Sequence, residues 1–184
     1  MALETGLPPT SLLKYRHQAI TPRVNHNKIN QRCIHAPRPI DADHVNAQTA
    51  LNIAGVLFAS KHATIAFGDA GGSIINISSV QGVSPIAGGA VYCATKAAVN
   101  AITVSLAAEL GPRKIRVNAV APGLIMTEKM KAKVPEEAKQ EIMKDTPLGR
   151  LSTPEEVAEV VGFLASEAAR WITGQVITAS GGYR

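Results

Sequence analysis

The sequence predicts an α/β fold in which a parallel sheet carries helices on its faces, and three observations predict it. Three short β-branched runs, at residues 73–78 (SIINIS), 115–120 (IRVNAV) and 174–180 (GQVITAS), alternate with longer stretches that carry helix signals. Hydrophobic residues make up 46% of the chain but aromatic ones only 4%, which suits an interior built from Ala, Val and Ile. At 184 residues the chain has the length of a single domain with a sizeable core.

A composition break near residue 40 divides the chain into an atypical basic segment, 1–40, and an orderly one, 41–184. The first is rich in Pro, Asn, His and Arg without a sustained period, and is read as disordered or as covering a sheet edge. From Asp41 a helix is expected to about Phe67, with Val45, Leu51, Val56 and Ala59 among its apolar positions, until GDAGG breaks it. SIINIS follows as a buried-type strand. The loop VQGVSPIAGG then leads into a helix that runs to about Leu110 and stops at Gly111-Pro112. IRVNAV is the second strand and ends at Pro122-Gly123. A short charged helix is expected over 135–143. Thr153-Pro154-Glu155-Glu156 supplies an N-cap, a proline in the first turn and a capping-box glutamate for a further helix. GQVITAS closes the series as the third strand.

The formal net charge of +5 comes wholly from the first segment: residues 1–40 hold six Lys/Arg and one acid, residues 41–184 thirteen of each. That segment shows no helix-turn-helix, RNA-binding motif or long single-sign block, so nucleic-acid binding is not expected. No apolar run approaches the roughly 18 to 20 residues of a membrane span, and MALETGLPPT lacks the marks of a secretory signal. A cytoplasmic location is therefore expected, with organelle targeting by the basic segment as the minor alternative. Cys33 and Cys93 are read as reduced thiols, not a disulfide framework. His26, Cys33 and His35 lack a matching second ligand pair, so no metal site is expected. The sequon Asn76-Ile77-Ser78 falls inside a strand-like run and is read as accidental.

The helix after the loop holds the chemistry. Tyr92 and Lys96 are four residues apart, so they share one helix face, with Cβ atoms about 5 to 6 Å apart. An ammonium beside a phenol favours the phenolate and draws its proton exchange toward neutral pH, as a general acid or base requires. Ligands in parallel sheets bind beyond the carboxyl ends of the strands. Ser79 stands there, thirteen residues before Tyr92, where its hydroxyl can bond a substrate carbonyl. Asn52, on the preceding helix, can hold a helix carbonyl or a proton-passing water. Each also has an ordinary structural explanation when taken alone.

Taken together, NISSVQG, YCATK, IRVNAVAPGLIMT, PLGRLSTPEEVAEVVGFLAS and WITGQVITASGGYR resemble the C-terminal part of the short-chain dehydrogenase/reductase family, over about residues 41–184. The resemblance implies a Rossmann-like sheet and a hydride transfer between NAD or NADP and a ketone or alcohol carbon. It implies Tyr92 as general acid/base, Lys96 as its pKa-lowering, ribose-binding partner, Ser79 as carbonyl-positioning residue and Asn52 as support for a water relay. It also implies nicotinamide contacts at Pro122, Gly123 and Ile125, with Thr127 near the pyrophosphate. A homo-oligomer, dimer or tetramer, built through the helices of Asn52 and Tyr92 is implied as well.

One part of the family pattern is missing. Its strand, Gly-rich turn and helix place backbone N–H groups on the pyrophosphate. GDAGGS, residues 68–73, has a helix before it and a strand after it, the wrong order, and the NIAG of residues 52–55 lies within a helix. Forty residues cannot hold the first strands and their crossovers, since one βαβ unit takes about thirty or more. The sheet is thus expected to be truncated, with weakened cofactor binding and an apolar edge that residues 1–40 or an identical chain would cover. The competing reading is a catalytically inactive relative that serves as a structural or interaction partner. Substrate identity and the choice of NAD or NADP stay open.

Overall fold

The computed structural model describes residues 40–184. Helix α1 starts behind Asp41, whose carboxylate accepts from the His44 N–H at 2.8 Å, and runs as Ala42–Thr49, a π-helical turn Ala50–Ala54, and Gly55–Phe67. Strand β1 is Gly72–Ile77, followed by a 3₁₀ turn, Val80–Gly82, and by α2, Ala90–Leu110. Strand β2 is Ile115–Pro122. The helices α3, Glu128–Lys133, α4, Glu136–Asp145, and α5, Pro154–Ala165, lead to β3, Val176–Ala179. Thr153 caps α5 through the capping box read from the sequence. Helix α3 is an addition to that reading.

The strands pair in parallel in the order β1-β2-β3, with Ile74 opposite Val117 and Val120 opposite Ile177. Parallel neighbours require crossovers, and α2 and α5 supply them. β2 is central and buried along nearly all its length. Alternation along β2 serves two faces. Ile115 and Val117 pack with Ile74, Ala107 and Phe67, on the side of α1 and α2. Val120 packs with Val157, Leu164 and Ala169, on the side of α5. The result is the predicted three-layer, Rossmann-like α/β arrangement.

Two asparagines buried inside these layers are paired. Asn118, fully buried in β2, donates to the Ile172 carbonyl at 2.8 Å and accepts from the Gln175 N–H at 3.0 Å, tying the β3 approach to the sheet. Asn76 is buried and donates to Thr103 Oγ1 at 2.9 Å, which fits the reading of its sequon as accidental.

Among the described residues β1 pairs on one side only, and Ile77 at its end is 47% exposed. Whether a further strand lies beside β1 concerns residues 1–39, which fall outside the described residues. One expectation is corrected: Ala42–Phe67 and Ala90–Arg113 are each long and apolar enough, by length and composition, to cross a membrane. Runs of Ala, Val and Ile broken by Thr, Ser and Asn give that composition without any long uninterrupted apolar stretch. Both helices contribute side chains to the core on their side of the sheet.

Candidate active site

The end of β1 and the first turns of α2 meet at the carboxyl edge of the sheet, where ligands bind in such folds. Tyr92 is half-buried in the first turn of α2, and Lys96 Nζ lies 5.7 Å from the centre of its ring. The same ammonium donates to the Ile77 carbonyl at 2.9 Å, which anchors it at the strand end and leaves further N–H donors. Burial lowers the Lys96 pKa from its ordinary 10.5. Ser78 Oγ donates to the Lys96 carbonyl at 3.1 Å, so strand end and helix turn are bonded in both directions.

Ser79 follows in extended conformation and caps the 3₁₀ turn, its Oγ accepting from the Gln81 N–H at 3.2 Å. That bond uses an acceptor site of the hydroxyl and leaves its O–H to donate. Asn52 sits in the π-helical turn of α1, a distortion found frequently at functional sites. Its amide nitrogen donates to Gln48 Oε1 at 2.9 Å and to Thr95 Oγ1 at 3.0 Å, and Thr95 Oγ1 donates to the Tyr92 carbonyl at 2.8 Å. The amide nitrogen thus holds two side-chain oxygens, where the sequence suggested a helix carbonyl or a proton-passing water. Through Thr95 it steadies the backbone of Tyr92.

The Pro122 loop leaves β2 beside the end of β3. Pro122 is buried and opposite Ala179, and the Gly123 N–H donates to the Ala179 carbonyl at 3.1 Å. A Cβ on Gly123 would lie 3.1 Å from Ser180 Cα, tighter than nearly all real Cβ contacts, so glycine lets the loop turn close against β3. Ile125 forms an isolated parallel bridge with Ser152. Thr127 is the N-cap of α3, its Oγ1 accepting from the Met130 N–H at 3.3 Å. The structure therefore joins Asn52, Tyr92, Lys96 and the Ser79 turn through hydrogen bonds and close packing. The loop of Pro122, Gly123, Ile125 and Thr127 has no hydrogen bond to Tyr92 or Lys96.

Comparison with known proteins decides the family. A family model described as enoyl-(acyl carrier protein) reductase matches residues 27–184. The chain belongs to the short-chain dehydrogenase/reductase family. It is 47% identical over 147 residues to an uncharacterized oxidoreductase of Methylorubrum extorquens, covering 79% of this chain and 59% of that protein. It is 53% identical over 111 residues to a 3-oxoacyl-(acyl carrier protein) reductase of Aquifex aeolicus, covering 60% of this chain and 44% of that protein. A solved structure of ElxO with NADP bound superposes with a TM-score of 0.73 at 34% identity, covering 78% of this chain and 59% of that one. The chain spans about half the length of the curated relatives it matches. The family match also begins upstream of the composition break at residue 40.

A dehydrogenase of this family implies a nicotinamide cofactor, and the described residues fit its nicotinamide-ribose half. Lys96 offers a half-buried ammonium with N–H donors to spare next to Tyr92. For the pyrophosphate half, no three-glycine turn of the dinucleotide type joins a strand to a helix among the described residues. Sequence reasoning missed Thr95, Gln81, Gly82 and Asn100. Asn100 alone carried a signal, lying one helical turn beyond Lys96 on the same face.

Proposed function

We propose that the chain works as an NAD(P)-dependent oxidoreductase that moves hydride between nicotinamide and a carbonyl or hydroxyl carbon, with Tyr92 as general acid/base. The observation that carries this reading is the Lys96 ammonium, half-buried between the Ile77 carbonyl and the Tyr92 ring. In the reductive direction the Tyr92 O–H gives its proton to the carbonyl oxygen, and in the oxidative direction the phenolate takes it back. Ser79 donates to the same oxygen as negative charge develops there. Lys96, anchored on the Ile77 carbonyl beside the Tyr92 ring, binds the ribose hydroxyls with its remaining donors. Asn52 acts through Thr95 on the Tyr92 backbone. When bound, the nicotinamide supplies or receives the hydride.

The NADP in the ElxO structure supports NADP over NAD, and the 3-oxoacyl reductase relative supports a keto group as the reacting centre. The segment 83–91, VSPIAGGAV, would line a small, apolar mouth for that substrate. The proposal extends to a homo-oligomer with a second copy on α1. Leu51, Phe58 and Ile65, spaced by seven residues, form one exposed apolar stripe at 73%, 64% and 65% exposure.

The test titrates the full chain with NADPH and NADH by nicotinamide fluorescence and assays turnover on 3-oxoacyl thioesters and simple ketones. Saturable binding is expected, and Tyr92→Phe is expected to lower turnover by about 10²-fold or more while cofactor affinity stays within a few-fold. No saturable binding up to millimolar cofactor would overturn the enzyme reading and favour the non-catalytic one. Undiminished turnover in Tyr92→Phe would overturn the role of the phenol.

A further inference from the structure

We propose that Asn100 is a positioning residue that, together with Gly82, clamps the Ser79 turn against the Lys96 turn of α2 and so sets the placement of Ser79 relative to Tyr92. The catalytic consequence rests on the oxidoreductase reading above, whereas the clamp itself does not. Asn100 Nδ2 donates to the Gly82 carbonyl at 3.0 Å, across eighteen residues of sequence. Gly82 in turn lies against the main chain of α2. A Cβ there would stand 2.7 Å from the Lys96 carbonyl carbon, 2.9 Å from its oxygen and 3.0 Å from the Ala97 nitrogen. No side chain fits, and the neighbours are backbone that cannot swing aside.

Between these contacts lies Gln81, whose N–H is held by Ser79 Oγ and whose Oε1 is 3.8 Å from Cys93 Sγ. The turn that carries the Ser79 hydroxyl is therefore fixed at its start by Ser78 on the Lys96 carbonyl and at its end by Asn100 on the Gly82 carbonyl. The bond from the Ser78 N–H to the Val120 carbonyl at 2.7 Å and the buried Val80 hold the same start of the turn, and Asn100 adds the side-chain tie at its far end, which narrows the orientations open to Ser79.

The other end of the Asn100 amide identifies what the residue is for. Its Oδ1 is buried and has no hydrogen-bond partner among the described residues. A buried unpaired acceptor costs stability that an apolar residue would not. Asparagine at 100 is thus useful for its donor and the position that donor enforces.

The test compares the full chain with Asn100→Ala and Gly82→Ala by two readouts. The first is steady-state kinetics with NADPH and a 3-oxoacyl thioester, alongside NADPH affinity by fluorescence. The second is the rate at which N-ethylmaleimide labels Cys93, followed on its own peptide by mass spectrometry so that Cys33 does not interfere. Cys93 is 4% exposed and its Sγ donates to Gln81 Oε1 of the clamped turn at 3.8 Å, so its labelling reports the clamp without any turnover. We expect kcat to fall by about 10- to 100-fold, since a misplacement near 1 Å costs about that much. NADPH affinity should stay within twofold, and Cys93 should label at least tenfold faster. Unchanged Cys93 labelling in both variants, or unchanged kcat despite faster labelling, overturns the proposal, as does a parallel loss of kcat, NADPH affinity and melting temperature. If the unaltered protein shows no turnover, the oxidoreductase reading falls and the Cys93 rate alone decides the clamp. Should Asn100→Ala fail to fold, Asn100→Leu removes the donor while keeping the volume and reads the same contact.

Discussion

Replacing Thr95 by valine removes one hydroxyl and changes the shape of the side chain very little, so the consequence is read from that oxygen. Thr95 is 3% exposed, and its Oγ1 accepts from Asn52 Nδ2 at 3.0 Å while donating to the Tyr92 carbonyl at 2.8 Å. Each such bond contributes about 0.5 to 1.5 kcal/mol net, so the substitution should cost about 1 to 3 kcal/mol. A loss near 2 kcal/mol would lower the melting temperature of a chain this size by about 4 to 8 °C. Asn52 keeps its bond to Gln48, so it is not stranded by the change. A double-mutant cycle separates the bridge from general packing. Asn52→Ala, Thr95→Val and the double variant are unfolded in urea, and the coupling energy between the two positions is expected at about 0.5 to 1.5 kcal/mol. Energies that add to within about 0.3 kcal/mol would show that the Asn52–Thr95 contact holds nothing, and the route from α1 to the Tyr92 backbone would fall with it.

Two further outcomes follow from other features. Burial lowers the Lys96 pKa below 10.5, so in the window under 10.5 the unfolded chain binds more protons there and stability gains with rising pH. The stability gap between Lys96→Met and the unaltered protein should therefore shift in favour of the unaltered protein as pH rises toward 10.5, measured by urea midpoints, and a gap independent of pH would refute the desolvation. Phe58, 64% exposed on α1, sits mid-way along the Leu51–Ile65 stripe. Phe58→Glu should convert the assembly to monomers by light scattering without loss of helicity, and a monomeric unaltered protein would refute the self-association.

The elements were legible where local chemistry determines them. β-branched runs gave β1, β2 and β3, and the Thr153 capping box gave the start of α5. Helix α3 was not legible, because EKMKAK has six residues and no apolar period; its start depends on the Thr127 cap. The π-helical turn at Ala50–Ala54 escaped for a related reason, since an apolar pattern read at 3.6 residues per turn is too coarse to register one turn that is wider.

The site divides along the same line. Tyr92 and Lys96 share a helix face by spacing, so their proximity is written into four consecutive steps of one helix. Thr95 meets Asn52 across 43 residues, and Asn100 meets Gly82 across eighteen, so those contacts exist only once α1 and the β1 turn have packed on α2. Spacing puts Asn100 on the face of Lys96, but neither it nor Thr95 carries a signature of its distant partner, because either side chain is equally at home facing solvent. The functional side chains were thus readable as chemistry, while the groups that aim them were readable only as geometry. On the proposed oxidoreductase reading, the Asn52–Thr95 contact steadies the Tyr92 backbone and the Asn100–Gly82 contact places Ser79, so loss of either should lower kcat while the Lys96 bond to the Ile77 carbonyl persists.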